Sequence, residues 1–185
     1  MSERTGTINA FFGRVLGAIA LVQGLSLAGS ALGAPADEAQ VKAAFVYNAM
    51  RYVEWPEGTL APGAPLTVCR VGSGALSQAL SVLEGRLVAG RQVRVRSVEA
   101  DATGCQVLVL PEGEGRGLLS RAQGRPVLTV GEGWDFLEDS GIVAMVVLDG
   151  KLAFGANLDG ARRANLRLSA QLLKLARRVL DGAEK

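Results

Sequence analysis

The apolar positions of this chain change rhythm twice. From Val15 to Leu32 they run almost without interruption through Ala, Leu, Val and Gly, with Arg4 and Arg14 ahead of them and the small residues Ala34-Pro35-Ala36 behind. From Val41 they recur at helical spacing, through Val41, Phe45, Tyr52 and Trp55 with Asn48 on the same face, so the stretch from Asp37 to Val53 reads as a helix. Asp37 can cap it, Gln40 stands three residues on as in a capping box, and Pro56 stops it because the residue before a proline is pushed out of the helical region. Glu57 to Pro65, with two glycines and two prolines, is loop by composition.

Beyond Leu66 the pattern shortens. β-rich runs at Leu66 to Val71, Gln92 to Val98, Gln106 to Leu110 and Val127 to Val130 alternate with helical runs at Ala75 to Leu83 and Gly115 to Ala122. Strand and helix alternating in this way predict βαβ units around a largely parallel sheet. Val107-Leu108-Val109-Leu110 and Val127-Leu128-Thr129-Val130 are apolar nearly throughout, as central strands covered on both faces must be. The strongest hairpin signal follows: Gly141 to Leu148, then Asp149-Gly150, then Lys151 to Asn157. Asp-Gly supplies the positive φ angles of a type I′ turn, and Leu152, Phe154 and Ala156 then share one face. From Leu158 to about Leu180 a stripe of Ala161, Asn165, Leu168, Leu172, Leu175 and Val179 predicts one long helix, with Arg163, Arg167, Lys174 and Arg178 on another side. The expected fold is therefore α/β: a single domain over residues 37–185, with a mixed, largely parallel sheet flanked by helices, a late antiparallel hairpin and a long C-terminal helix.

The first thirty-six residues have the order of an exported precursor: basic residues, an apolar run, then an A-x-A site at Ala34-Pro35-Ala36, with Ala28-Gly29-Ser30 as an earlier site. A retained anchor is the competing reading, disfavoured by Gly17, Gln23, Gly24, Ser26 and Gly29. Loss of Glu3, Arg4 and Arg14 with this segment leaves 18 basic and 17 acidic residues. That balance speaks against a nucleic-acid partner.

The chain contains no histidine. That absence removes Ser-His-Asp and Cys-His nucleophiles, His-liganded zinc and c-type haem attachment. Two cysteines, Cys69 and Cys105, cannot build a four-cysteine zinc or iron–sulfur site within one chain. In an oxidising compartment they would pair, and closing that loop stabilises by about 4 kcal/mol in the chain-entropy model; two separate buried thiols are the alternative. Gly72-Ser73-Gly74 lies between a predicted strand and helix, yet it completes neither dinucleotide nor P-loop fingerprint and reads as a tight turn. Val93-Arg94-Val95-Arg96 reads as a strand with one solvated face. No cofactor, no metal and no enzymatic activity is expected, and binding through a surface is; Tyr52, Trp55, Trp134 and Phe154 are the aromatics to watch.

Two stretches resemble a known family. Val41 to Pro56, VKAAFVYNAMRYVEWP, is similar to the N-terminal signature of the YfiR/HmsC-like proteins, and Phe154 to Ala176, FGANLDGARRANLRLSAQLLKLA, to their C-terminal one. CQVLVL and PVLTVGEGWDF follow the family order between them. The resemblance implies a periplasmic, often dimeric α/β protein that binds the periplasmic sensor portion of an inner-membrane diguanylate cyclase and represses it, so that relief by redox or envelope stress raises cyclic di-GMP and promotes biofilm formation. It also implies that Cys69 and Cys105 correspond to the family's usual cysteine pair; a second pair in the late hairpin, carried by some members, is missing here. Phe154, Asn157, Arg162 and Arg163, where the hairpin meets the last helix, are the candidate partner-binding residues, with capping and packing of that junction as their alternative role. A periplasmic small-molecule receptor acting on a membrane sensor, with its ligand at the carboxyl ends of the parallel strands, is the alternative.

Overall fold

The computed structural model describes residues 37–182, and the expected export segment, residues 1–36, lies outside them. Helix α1 (Glu38–Met50) starts at Asp37, whose carboxylate accepts a hydrogen bond from the Ala39 N–H. Its buried side is Ala39, Ala43, Val46, Ala49 and Met50, not the predicted Val41, Phe45 and Asn48. The window is apolar on almost every side, so periodicity cannot single out a face. The small alanines let the backbone approach the sheet, while Phe45 leans on the Phe154 ring at 4.9 Å between centroids.

The strands follow as β1 (Val53–Glu54), β2 (Leu66–Arg70), β3 (Leu87–Val88), β4 (Arg91–Ser97), β5 (Val107–Leu110), β6 (Leu128–Glu132), β7 (Val143–Leu148) and β8 (Lys151–Asn157). Between them run α2 (Ala75–Ala79) with a 3-10 turn at Leu80–Leu83, α3 (Arg116–Ala122) and α4 (Asp135–Glu138). The chain ends through α5 (Leu158–Arg163), β9 (Arg167–Leu168), α6 (Ala170–Leu175) and β10 (Arg178–Leu180). The main sheet has eight strands in the order β10-β8-β7-β6-β5-β2-β4-β3, with antiparallel pairing only at β7–β8 and β3–β4. This is the mixed, largely parallel sheet that the pattern predicts.

Alternation along the central strands divides the interior in two. Val68, Val107, Val109, Leu128 and Val130 face α1 and α2, while Cys69, Leu108 and Leu110 face α3 and α4. All four residues of β5 are buried, as its unbroken apolar run requires. The hairpin turns at Asp149 and Gly150, both at positive φ, and pairs Val143 with Ala156 and Met145 with Phe154. Gly155 in β8 is where Trp134 and Leu137 pack down on the strand: a Cβ there would lie 2.7 and 2.8 Å from their side chains.

The C-terminal region departs from the expectation of one long helix. After α5 the chain turns at Asn165, whose φ is +54°. The Leu166 N–H reaches the Ala161 carbonyl and the Asn165 N–H that of Arg162, both at 2.9 Å; with buried Leu166 against buried Ala161 this is a Schellman stop. Arg167 and Leu168 then pair antiparallel with Glu54 and Val53. Ser169 restarts a helix by capping the Leu172 N–H, and β10 lies parallel to β8. The leucine stripe is real, but its residues are shared between short helices and strands because a strong stop and a strong start interrupt it.

Since Asn165 occupies the left-handed region, Asn165→Ala is expected to lower unfolding free energy by about 1 kcal/mol, whereas Asn165→Gly leaves it unchanged or raises it. Urea unfolding of the three proteins measures this directly.

Candidate functional site

Cys69, in the middle of β2, stands beside Arg96 of β4 in the parallel register. The loop after β4 brings Cys105 back to the same side of the sheet, and the two cysteines form a disulfide with 5.7 Å between their Cα atoms. The sulfurs are shut in, with 0% and 4% of the two residues exposed. The Arg96 guanidinium lies over the bond, Nη2 being 3.4 Å from Cys105 Sγ and 3.8 Å from Cys69 Sγ, and it also donates to the Thr103 carbonyl. As the alternating pattern of Val93 to Arg96 predicts, Val93 is buried while Arg94 and Arg96 are exposed.

The candidate partner residues are brought together, but they do different things. Phe154 is buried against Phe45. Asn157 is buried and caps α5: its Oδ1 accepts from the Gly160 N–H at 2.8 Å and its Nδ2 donates to the Leu137 carbonyl at 3.2 Å. Arg162 is exposed and paired with Asp159 and, at 2.6 Å, with Asp181, tying the chain end to α5. The hydrogen bond from Arg162 holds the Asp159 carboxyl below its ordinary range, reinforced by the Gly182 N–H. This tie is therefore complete above the ordinary carboxylate range and fades only as pH falls through the lowered Asp159 value. Arg163 is exposed and lies beside a small surface dimple with Gln123 and Ser140.

A second locus stands at the carboxyl ends of β5 and β6. A cleft of about 220 Å³ is lined there by Glu112, Glu114, Glu132, Asp135 and Asp139, with Arg116 on its rim. Glu132 is held from two sides: Lys42 of α1 forms an ion pair with it, and the Glu112 N–H donates to its other oxygen at 3.1 Å. Lys42 also pairs with Glu38 one turn earlier. Burial works to lower the Lys42 pKa, but the two carboxylates outweigh it and the net shift is upward. Gly72, at a φ of +68°, lets the β2–α2 turn pass against Glu114, which confirms Gly72-Ser73-Gly74 as a tight turn. Among the described residues no group of histidine, cysteine and carboxylate side chains is arranged to hold a metal ion, and no helix is long and apolar enough to cross a membrane.

Sequence alone does not reveal the Lys42–Glu132 bridge, because its partners stand ninety residues apart and meet only through the sheet order. Lys42→Met strands the Glu132 carboxylate and is expected to cost about 1–3 kcal/mol at neutral pH. Because the folded Lys42 pKa is raised, the wild-type advantage persists through neutrality and is lost only as pH rises through that raised value. A double-mutant cycle with Glu132→Gln, which removes the stranded charge, is expected to recover part of the loss.

The geometry is that of a disulfide-bridged α/β domain whose conspicuous polar features lie at its surface loops and helix ends. A comparison with protein families matches residues 39–177 to the model described as YfiR/HmsC-like. The matched span runs from the first turn of α1 to the threshold of β10, takes in both cysteines and both signature stretches, and covers well over half of the chain; this protein belongs to the YfiR/HmsC-like family.

Proposed function

We propose that this domain is a periplasmic regulatory binding protein that represses an inner-membrane diguanylate cyclase by binding its periplasmic sensor region, and thereby controls cyclic di-GMP and biofilm formation. The observation that carries the reading is the family match across residues 39–177. In this reading residues 1–36 are the export signal, residues 37–185 are the mature domain, and no substrate chemistry or cofactor is involved. A binding protein of this kind acts by preferring one conformation of its partner, and the cyclase equilibrium moves only as far as that preference allows.

The partner surface is assigned to the junction of β8 and α5. Arg163 would touch the partner directly, a role its exposure at the end of α5 supports. Phe154 and Asn157 hold its backbone from within, and Arg162 anchors the chain terminus beside it. A homodimer would present two such surfaces. A small-molecule receptor is the second reading, favoured by the cleft at the carboxyl ends of β5 and β6; its carboxylate lining fits a cationic ligand.

Arg163→Glu is expected to weaken capture of the cyclase from a membrane extract at least tenfold while leaving the melting temperature unchanged. Wild-type capture by a folded Arg163→Glu protein would remove Arg163 from the surface. Failure of the wild-type domain to retain any cyclase, under oxidising and reducing conditions alike, would overturn the repressor reading.

A further inference from the structure

We infer that Arg96 is a redox-tuning residue: its guanidinium, seated over the Cys69–Cys105 bond, stabilises the thiolate released when that bond is reduced and so makes the bond easier to reduce. The inference rests on the disulfide and its surroundings and is independent of the identity of any partner.

Three observations carry it. First, the pairing of Arg96 with Cys69 is fixed by the sheet, since the two residues are register partners in adjacent parallel strands and their side chains emerge on the same face. Second, the same Nη2 that faces the sulfurs is held in place by donating to the Thr103 carbonyl, within the loop that delivers Cys105. Third, both sulfurs are otherwise packed among apolar neighbours, Val71, Val98, Ala102 and Leu108 belonging to the same cluster. A thiolate formed there loses its hydration, and a fixed cation at 3.4 Å from Cys105 Sγ is what compensates. The neutral disulfide gains much less from the same charge. Arg96 therefore favours the reduced form, which is the opposite of what a purely structural cross-link needs.

The chemistry balances with a dithiol as reductant. One of its thiolates attacks a sulfur of the bond, the S–S bond breaks, and the other sulfur leaves with the electron pair as a thiolate facing Arg96. The second thiol of the reductant then displaces the mixed disulfide. The reductant has lost two electrons and ends as its own disulfide, and the domain holds one thiol and one thiolate, with one proton released.

Arg96 is not the only charge near the bond. Asp101 lies on the same loop, and the side-chain and backbone hydrogen bonds from Thr103 hold its carboxyl below the ordinary range, so it stays ionised in mildly acidic solution. It is within electrostatic reach of Arg96 and also of Arg125. Arg121 of α3 is engaged with the Ala100 carbonyl. Arg94, the next residue on the same face of β4, is exposed and pairs in register with Thr67 rather than with Cys69.

The test is the thiol–disulfide equilibrium of the mature domain, from Asp37 on, against a dithiothreitol redox buffer at pH 8 and at pH 5, for the wild type, Arg96→Met and Arg96→Lys. At pH 8, Arg96→Met is expected to be about tenfold harder to reduce, a shift of about 30 mV for this two-electron couple, with Arg96→Lys between it and the wild type. At pH 5, where protons compete more strongly with Arg96 for the released thiolate, the difference is expected to narrow. Loss of the Thr103 hydrogen bond alone would displace the equilibrium equally at both pH values, and that outcome overturns the inference, as does an equal equilibrium constant for all three proteins at pH 8. Circular dichroism of the oxidised proteins establishes that each variant is folded before titration.

Discussion

Everything else in this domain depends on one constraint: β2, β5 and β6 lie side by side with apolar residues on both of their faces, and both faces must be covered. On one side α1 and α2 provide the cover, and on the other α3 and α4 do. Parallel pairing makes each of these helices the crossover or flank of a strand, so the polar turns gather at the two ends of the sheet. That geometry puts the acidic cleft and the Lys42–Glu132 bridge at the carboxyl end. On the α3 side the loop carrying Cys105 closes over β2 and β4, and the disulfide packs in one cluster with Leu118, Leu119 and Ala122 of α3.

The residues of the β8–α5 junction show how a surface is made by an interior. Asn157 satisfies the first turn of a short helix and, from the other end of the same amide, a carbonyl of α4. Phe154 fixes how far α1 stands from the hairpin. Neither could be altered without moving the exposed arginines, so a mutational scan of this region would mix effects of shape with effects of contact. Only a substitution at an exposed position such as Arg163 separates the two.

Much of this was legible from the residues. The apolar runs Val107 to Leu110 and Val127 to Val130 declare two-faced strands, and Asp149-Gly150 declares the hairpin, because each is a local requirement with few solutions. The disulfide followed from cysteine count and compartment. The face of α1 was not legible, since alanines on one side and larger apolar residues on the others offer no contrast of polarity. The C-terminal helix was overestimated because a repeating leucine stripe outweighed the two residues that interrupt it, Asn165 and Ser169, both of which are ordinary signals for stopping and starting a helix. Lys42 with Glu132, and Arg96 with the sulfurs, were beyond reach because each pair depends on which strands are neighbours.

The short pairing of Val53 and Glu54 with Leu168 and Arg167, together with β10 against β8, ties the two ends of the described chain into its middle. These contacts join residues more than a hundred positions apart in the first case, and a ladder of that kind forms only when the last segment of the polypeptide is present. Contacts so distant make for slow closure of the chain. The β1–β9 ladder can therefore close only after the residues beyond α5 are in place, so the first and last strands of the described chain share one late step of assembly.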